Sequence, residues 1–174
     1  EGEVILDRRI APGVEFCTLA PPLAATVVVP WTRSAAIADS YSGAGERGTC
    51  EWAVPNGCAN STRRVLYCHG GGYTSGTPAE YRGLSSRLAA AVGAPVFIFD
   101  YRKAPEFAYP AAIDDACSAM RFVANNGPAT AVPATEIIVM GDSAGGGMAL
   151  GLLLRLQNLA ASGKPKPQGD QPQG

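Results

Sequence analysis

Residues 137–150 read IIVMGDSAGGGMAL, and few folds can absorb such a stretch. TEIIVMG at 135–141 is an apolar run of strand length, expected to be a buried strand. SAGGGMALGLLLRLQNLAA at 143–161 reads as a helix, buried because its middle is apolar nearly all round. Between the two there is room only for a sharp reversal. Gly141 and Gly145 sit two residues either side of Ser143, where side chains would collide in such a turn, and the serine is thereby lifted above the sheet edge.

The same alternation runs back through the chain. RRVLYCHG at 63–70 and APVFIFDY at 94–101 are short apolar runs, the second typical of a strand covered on both faces. AEYRGLSSRLAAAVG at 79–93 has helical period, with Leu84, Leu88 and Val92 as its stripe and Gly93 as its stop. YPAAIDDACSAMRFVANNG at 109–127 is predicted as another helix. Pro110 suits its first turn, Asp114 and Asp115 suit its positive end, and Ile113, Cys117, Met120 and Ala124 form the stripe. Strand and helix in strict alternation predict an α/β fold, a mostly parallel sheet with helices on both faces.

The flanks are less regular. Residues 1–48 are a poorly defined N-terminal segment, with ATVVVPW at 25–31 a candidate strand and SYSGAGERG at 40–48 a turn-rich loop. TCEWAVP at 49–55 alternates as a strand does, and NGCANS after it reads as a hairpin turn. The domain is expected over 49–161. SGKPKPQGDQPQG at 162–174 has no aliphatic or aromatic side chain and is expected to be a disordered tail.

Composition narrows the classes. Hydrophobic residues at 47% against 17% charged give the makings of a folded core. A net charge of −1 with no basic block argues against nucleic acid as a partner. The longest apolar run, near 148–154, is far short of a membrane span. The chain opens on Glu1 with no visible leader, but a start that has been cut off would read the same way, so export is left undecided and a cytoplasmic location is only favoured. Five cysteines without a C-x-x-C, and one histidine, supply no metal site, and no cofactor is implied. Cys68 and Cys117 fall in apolar patterns as small core residues. Cys50 and Cys58 could bridge a hairpin, though a reduced pair suits an intracellular protein better. No feature of the sequence fixes an oligomeric state.

Two motifs carry chemistry. Ser143 in its glycine-flanked turn is a candidate nucleophile. His69-Gly70-Gly71-Gly72-Tyr73 closes the strand at 63–70, and three glycines let backbone N–H groups approach a ligand and point one way. Such a loop can hold the negative oxygen of a tetrahedral intermediate. A plain flexible turn is the other reading, weakened by the serine turn downstream.

HGGGY at 69–73, DYRKAPEFAYPAAIDDA at 100–116 and GDSAGGGMAL at 141–150 together resemble the α/β-hydrolase fold-3 family, the hormone-sensitive-lipase-like esterases, over roughly residues 49–160. The resemblance implies Ser143 as nucleophile and the N–H groups of Gly71, Gly72 and Ala144 as oxyanion hole. His69, Gly70, Gly141, Asp142 and Gly145 are then motif supports, with His69 propping the loop and Asp142 a local hydrogen-bonding residue. Tyr101, Arg102, Pro105, Glu106, Pro110, Asp114 and Asp115 match a scaffolding motif in which Arg102 and Glu106 are expected to pair or to bond backbone. The implied substrate is a small-molecule carboxylic ester.

In the resembled fold the serine is followed along the chain by an acid and then a histidine. After Ser143 the only acid is Asp170, in the expected tail, and no histidine follows. The resemblance implies further core strands that would carry both, so a C-terminally truncated domain is expected, with an open sheet edge, uncovered leucines and little activity. An oxyanion hole alone leaves roughly 10³–10⁴ over water in serine hydrolases stripped of their triad. The alternative is a non-catalytic receptor of the same fold, of the kind that keeps the serine and lacks the histidine. It is disfavoured because a receptor would keep the remaining sheet.

Overall fold

The computed structural model describes residues 50–161 and the backbone of 14–18. The strands are β1 (Val14–Thr18), β2 (Cys50–Pro55), β3 (Arg63–Cys68), β4 (Val96–Phe99) and β5 (Glu136–Gly141). They form one sheet in the order β1-β2-β4-β3-β5. β4, β3 and β5 are parallel neighbours, β2 runs against β4, and β1 runs against β2. β2 is thus the one reversed strand in a mostly parallel sheet.

The helices are α1 (Arg82–Val92), entered through a 3₁₀ turn at Pro78–Tyr81, α2 (Ala111–Asn125) and α3 (Ala144–Ala161). The side-chain period of 2 along each strand divides the core in two. Leu66, Cys68, Phe97 and Phe99 face Ala116, Ala119 and Val123 of α2 and Met148, Ala149 and Leu152 of α3. Val65, Tyr67, Val96 and Ile98 face Ala89 of α1. Helices therefore cover both faces, as the alternation of elements requires.

Sequence expectations are corrected in the strand order and in the helix faces. NGCANS does not turn a hairpin, because β4 lies between β2 and β3. The β3–α1–β4 crossover returns β4 parallel beside β3, and the far edge of β4 then takes β2, with Ala53 opposite Val96. Cys50 and Cys58 form no disulfide; the Cys58 thiol donates to the Gly93 carbonyl at 3.6 Å.

The helix stripes also rotate. On α1 the buried residues are Ser85, Ser86 and Ala89, while Leu84 is exposed and Leu88 and Val92 pack only partly. Small residues bring the helix close to the sheet, and the two serine hydroxyls donate to the carbonyls of Arg82 and Gly83 one turn back. On α2 the buried apolar face is Ala111, Ala116, Ala119 and Val123. Ile113, Cys117 and Met120 of the expected stripe are half-buried at its margin.

α3 and β5 show the expected open edge and uncovered leucines, and are less buried than their apolar runs alone imply. Leu150 (60% exposed), Leu153 (47%), Leu154 (50%) and Leu159 (38%) lie open, so α3 is buried on one side only. β5 is the edge strand among the described residues and its interior positions are half-buried. The expected strand at 25–31 and the loop at 40–48 lie outside the described residues, as does the expected tail at 162–174.

One ion pair fastens the loop after β4 to α2. Arg102 Nε lies 3.0 Å from both carboxylate oxygens of Asp115, Nη2 lies 3.0 Å from Oδ1, and the Arg102 N–H donates to Oδ2 at 2.8 Å. Asp115 is fully buried. It serves Arg102 rather than the helix dipole, and Arg102 takes this acid rather than Glu106 while also bonding the Ala111 carbonyl at 3.3 Å. Removing one partner of a buried pair strands the other charge. Asp115→Ala is expected to lower the unfolding free energy by about 3–5 kcal/mol, measured by urea titration.

Candidate active site

The register of β3 on β5 sets Cys68 beside Gly141, the last residue of each strand. The segments that follow, 69–73 and 142–143, therefore leave the same sheet edge about one strand spacing apart, ~4.8 Å. Everything else in the site follows from how closely those two segments are pressed together.

Ser143 has φ 49°, left-handed for a residue with a side chain, and is exposed. Such backbone is strained and persists only where its surroundings over-determine it. Here they do. A Cβ on Gly145 would overlap the Cys68 carbonyl oxygen and reach within 2.7 Å of the His69 carbonyl carbon. A Cβ on Gly141 would lie 2.5 Å from the Gly145 carbonyl carbon. Only glycine fits at both places. α3 starts at Ala144, and the carbonyls of Asp142 and Ser143 accept from Gly146 (3.1 Å) and Gly147 (3.2 Å). The hydroxyl thus stands at the positive end of a helix.

The glycine loop is held by its carbonyls. The Gly70 carbonyl accepts from His69 Nδ1 at 2.7 Å and from the Tyr101 hydroxyl at 3.2 Å. The Gly71 carbonyl accepts from the N–H groups of Thr74 and Ser75, both at 3.0 Å, and from the Ser75 hydroxyl at 3.0 Å. Across a trans peptide the next N–H points the opposite way. Each anchored carbonyl therefore turns the amide of Gly71 or Gly72 away from its own anchor. Among the described residues, the N–H groups of Gly71, Gly72 and Ala144 donate to no protein acceptor. Gly71 (φ 116°) and Gly72 (φ 62°) are left-handed, and a Cβ on Gly71 would come 2.7 Å from the Ser75 carbonyl carbon.

His69 lies beneath this loop, fully buried and stacked on Tyr101 with ring centroids 4.3 Å apart. A carbonyl only accepts, so Nδ1 carries the hydrogen in its bond to Gly70. Nε2 is buried with no hydrogen-bond partner among the described residues, Ser143 included. Burial pulls the His69 pKa below its ordinary 6.5, the bond to the Gly70 carbonyl opposing this in part. Asp142 makes no hydrogen bond to the histidine ring. Its Oδ1 accepts from the Gly70 N–H and the Tyr67 hydroxyl, both at 2.9 Å, and its Oδ2 from the Tyr81 hydroxyl at 3.2 Å. Tyr67 and Tyr81 were not singled out in the sequence; the available signal was that a buried tyrosine hydroxyl needs an acceptor.

Of the second motif, Tyr101 reaches the loop directly, donating to the His69 carbonyl at 3.0 Å. Arg102 and Asp115 form the buried pair described above, and Asp114 pairs with Arg155 of α3 at 2.5 Å. Among the described residues no three His, Cys, Asp or Glu side chains gather as metal ligands would. No described helix is long and apolar enough to cross a membrane.

A family model described as alpha/beta hydrolase fold matches residues 65–169. The chain belongs to the α/β-hydrolase fold-3 family. A serine nucleophile and an oxyanion hole are typical of the family. An acetyl-hydrolase of Streptomyces hygroscopicus is 40% identical over 119 residues, 68% of this chain and 37% of that protein. An ethyl acetate hydrolase of Pseudomonas putida is 40% identical over 85 residues, 49% of this chain and 27% of that protein. Among solved structures, a hyperthermophilic esterase of the archaeon Pyrobaculum calidifontis matches with TM-score 0.62 and 30% identity, covering 84% of this chain and 40% of the esterase. The chain thus spans two fifths or less of the length of these hydrolases.

Two outcomes test the site's construction. Gly145→Ala drives a methyl into the Cys68 carbonyl and is expected to cost about 3 kcal/mol of stability by urea titration, the upper range for overpacking. His69 is held neutral, so unfolding takes up a proton wherever free histidine is protonated. Stability is therefore full above pH 6.5 and falls as the pH drops through and below it. The melting temperature should decline from pH 7 to pH 5.5, above the main carboxylate range, with a shallower decline in His69→Gln.

Proposed function

We propose that this chain carries the nucleophile and the oxyanion cradle of a serine-dependent carboxylic ester hydrolase. The observation that supports this most is the strained, exposed Ser143 on its glycine-flanked turn beside a loop whose amides are free to donate. In this reading Ser143 Oγ bonds to the ester carbonyl carbon, and the carbonyl electron pair moves onto oxygen. The N–H groups of Gly71, Gly72 and Ala144 hold that oxyanion where the start of α3 already favours negative charge. Collapse expels the alcohol and leaves an acyl-serine, which water then cleaves to the acid. Names such as acetyl-hydrolase and ethyl acetate hydrolase among the relatives favour esters of short acids.

Attack requires that the serine proton be taken up. The one histidine of the chain is His69, and its bonds support a prop for the loop rather than a base. Asp142 is likewise committed to Gly70, Tyr67 and Tyr81. The 174-residue chain alone is therefore expected to be a feeble esterase. Hydrolysis of p-nitrophenyl acetate should exceed the uncatalysed rate by no more than roughly 10³–10⁴, an acceleration that comes from the oxyanion cradle and should change little in Ser143→Ala. Turnover in the usual enzymatic range, about 1–10³ s⁻¹, would contradict the role given to His69. No acceleration at all over the uncatalysed rate would contradict the oxyanion cradle.

A further inference from the structure

The loop and the serine turn belong to different segments, separated by α1, β4, α2 and β5, yet an oxyanion hole demands that they hold one relative position. A direct tie between them runs through a carboxylate. Asp142 is joined by a peptide bond to Ser143, so wherever its side chain is fixed, the serine backbone is fixed too. That side chain receives the Gly70 N–H, the first amide of the glycine loop.

A carboxylate has two oxygens and rotates easily, so one amide bond alone would not hold it. Two phenols do. Tyr67, buried on β3, donates to the same oxygen as Gly70, and Tyr81, from the 3₁₀ turn before α1, donates to the other. The rings stand 6.1 Å apart, and Tyr81 also packs 5.3 Å from His69. The Tyr81 turn is itself fixed by a capping box in which the Thr77 hydroxyl accepts from the Glu80 N–H and the Glu80 carboxylate from the Thr77 N–H. A Cβ on Gly70 would come 3.1 Å from the Asp142 carboxyl carbon, so the contact has no slack.

We propose that Tyr67 and Tyr81 are positioning residues which, by clamping both oxygens of Asp142, set the aim of the Gly70–Gly72 amides relative to Ser143. The proposal rests on the hydrolase reading of Ser143 for its purpose, but not for its geometry. Both phenols are committed to Asp142. Each acts through Asp142, and its loss loosens the register between two segments without opening a cavity, since phenylalanine keeps the ring.

The test uses the purified 174-residue chain with two readouts. One is amide hydrogen exchange at Gly70, Gly71 and Gly72, resolved by NMR, with the amides of Leu66 and Phe97 reporting the sheet. The other is the rate at which a fluorophosphonate modifies Ser143, forming an Oγ–P bond and releasing fluoride, read by mass spectrometry. Tyr81→Phe is expected to speed Gly70 exchange and to slow Ser143 modification by about tenfold, the effect of losing one hydrogen bond to a charged group. Leu66 and Phe97 should keep their protection, which a general loss of stability would not allow. Tyr67→Phe should act in the same direction, and Tyr109→Phe, at a side chain 88% exposed, should change neither readout. If Tyr67→Phe unfolds, Tyr81→Phe alone decides. Gly70 exchange and Ser143 modification both unchanged in Tyr81→Phe would overturn the proposal. If Ser143 of the unsubstituted chain reacts too slowly to measure, as a serine without a base does, Gly70 exchange alone decides the clamp: faster exchange upholds it and unchanged exchange overturns it.

Discussion

The site depends on the closeness of Gly145 to the carbonyl of Cys68. β3 and β5 end level with one another, and the first turn of α3 lies against the end of β3 with no room for a methyl group. That contact forces the chain to reverse within Gly141–Gly145, and the reversal in turn puts Ser143 in left-handed backbone with its side chain in the open. The strain has to be met by structure elsewhere. Met148, Ala149 and Leu152 supply much of it by burying one side of α3 against Leu66, Cys68, Phe97 and Phe99. The sheet and the serine turn are in this sense one construction.

Polar anchoring completes what packing begins. The glycine loop has few side chains with which to fix itself, so its carbonyls are gripped from outside by His69, Tyr101, Thr74 and Ser75, and its first amide by Asp142. The buried histidine is an economical prop, since one nitrogen satisfies a carbonyl while the ring fills space against Tyr101. The same bond occupies its Nδ1, and its Nε2 meets no partner among the described residues, Ser143 included.

The order of elements was legible because strand and helix carry different periods, and the serine turn because glycine at two fixed spacings has a steric cause. Cys68 and Gly141 end their strands within a residue of where the apolar runs stop. The sequence reading went wrong where small residues decide packing. The stripe Leu84, Leu88, Val92 looked like the buried face of α1, yet Ser85, Ser86 and Ala89 take it, because serine can satisfy its hydroxyl on its own helix. Strand order was misread at 56–62, since a turn between two strands does not say that they pair. Arg102 was expected from the motif to pair with Glu106 or to bond backbone; it does bond the Ala111 carbonyl, but the acid that the fold brings to it is Asp115. Tyr67 and Tyr81 were invisible as a pair because their shared acceptor lies more than sixty residues away.

The central claim is geometric: the amides of Gly71, Gly72 and Ala144 converge on the oxygen that a tetrahedral group on Ser143 would present. Amide NMR of the chain phosphonylated at Ser143 tests it directly. The account predicts that these three N–H signals move together on modification and become protected from exchange, while amides in β4 stay where they were. Complete modification of Ser143 with all three signals unmoved would contradict it.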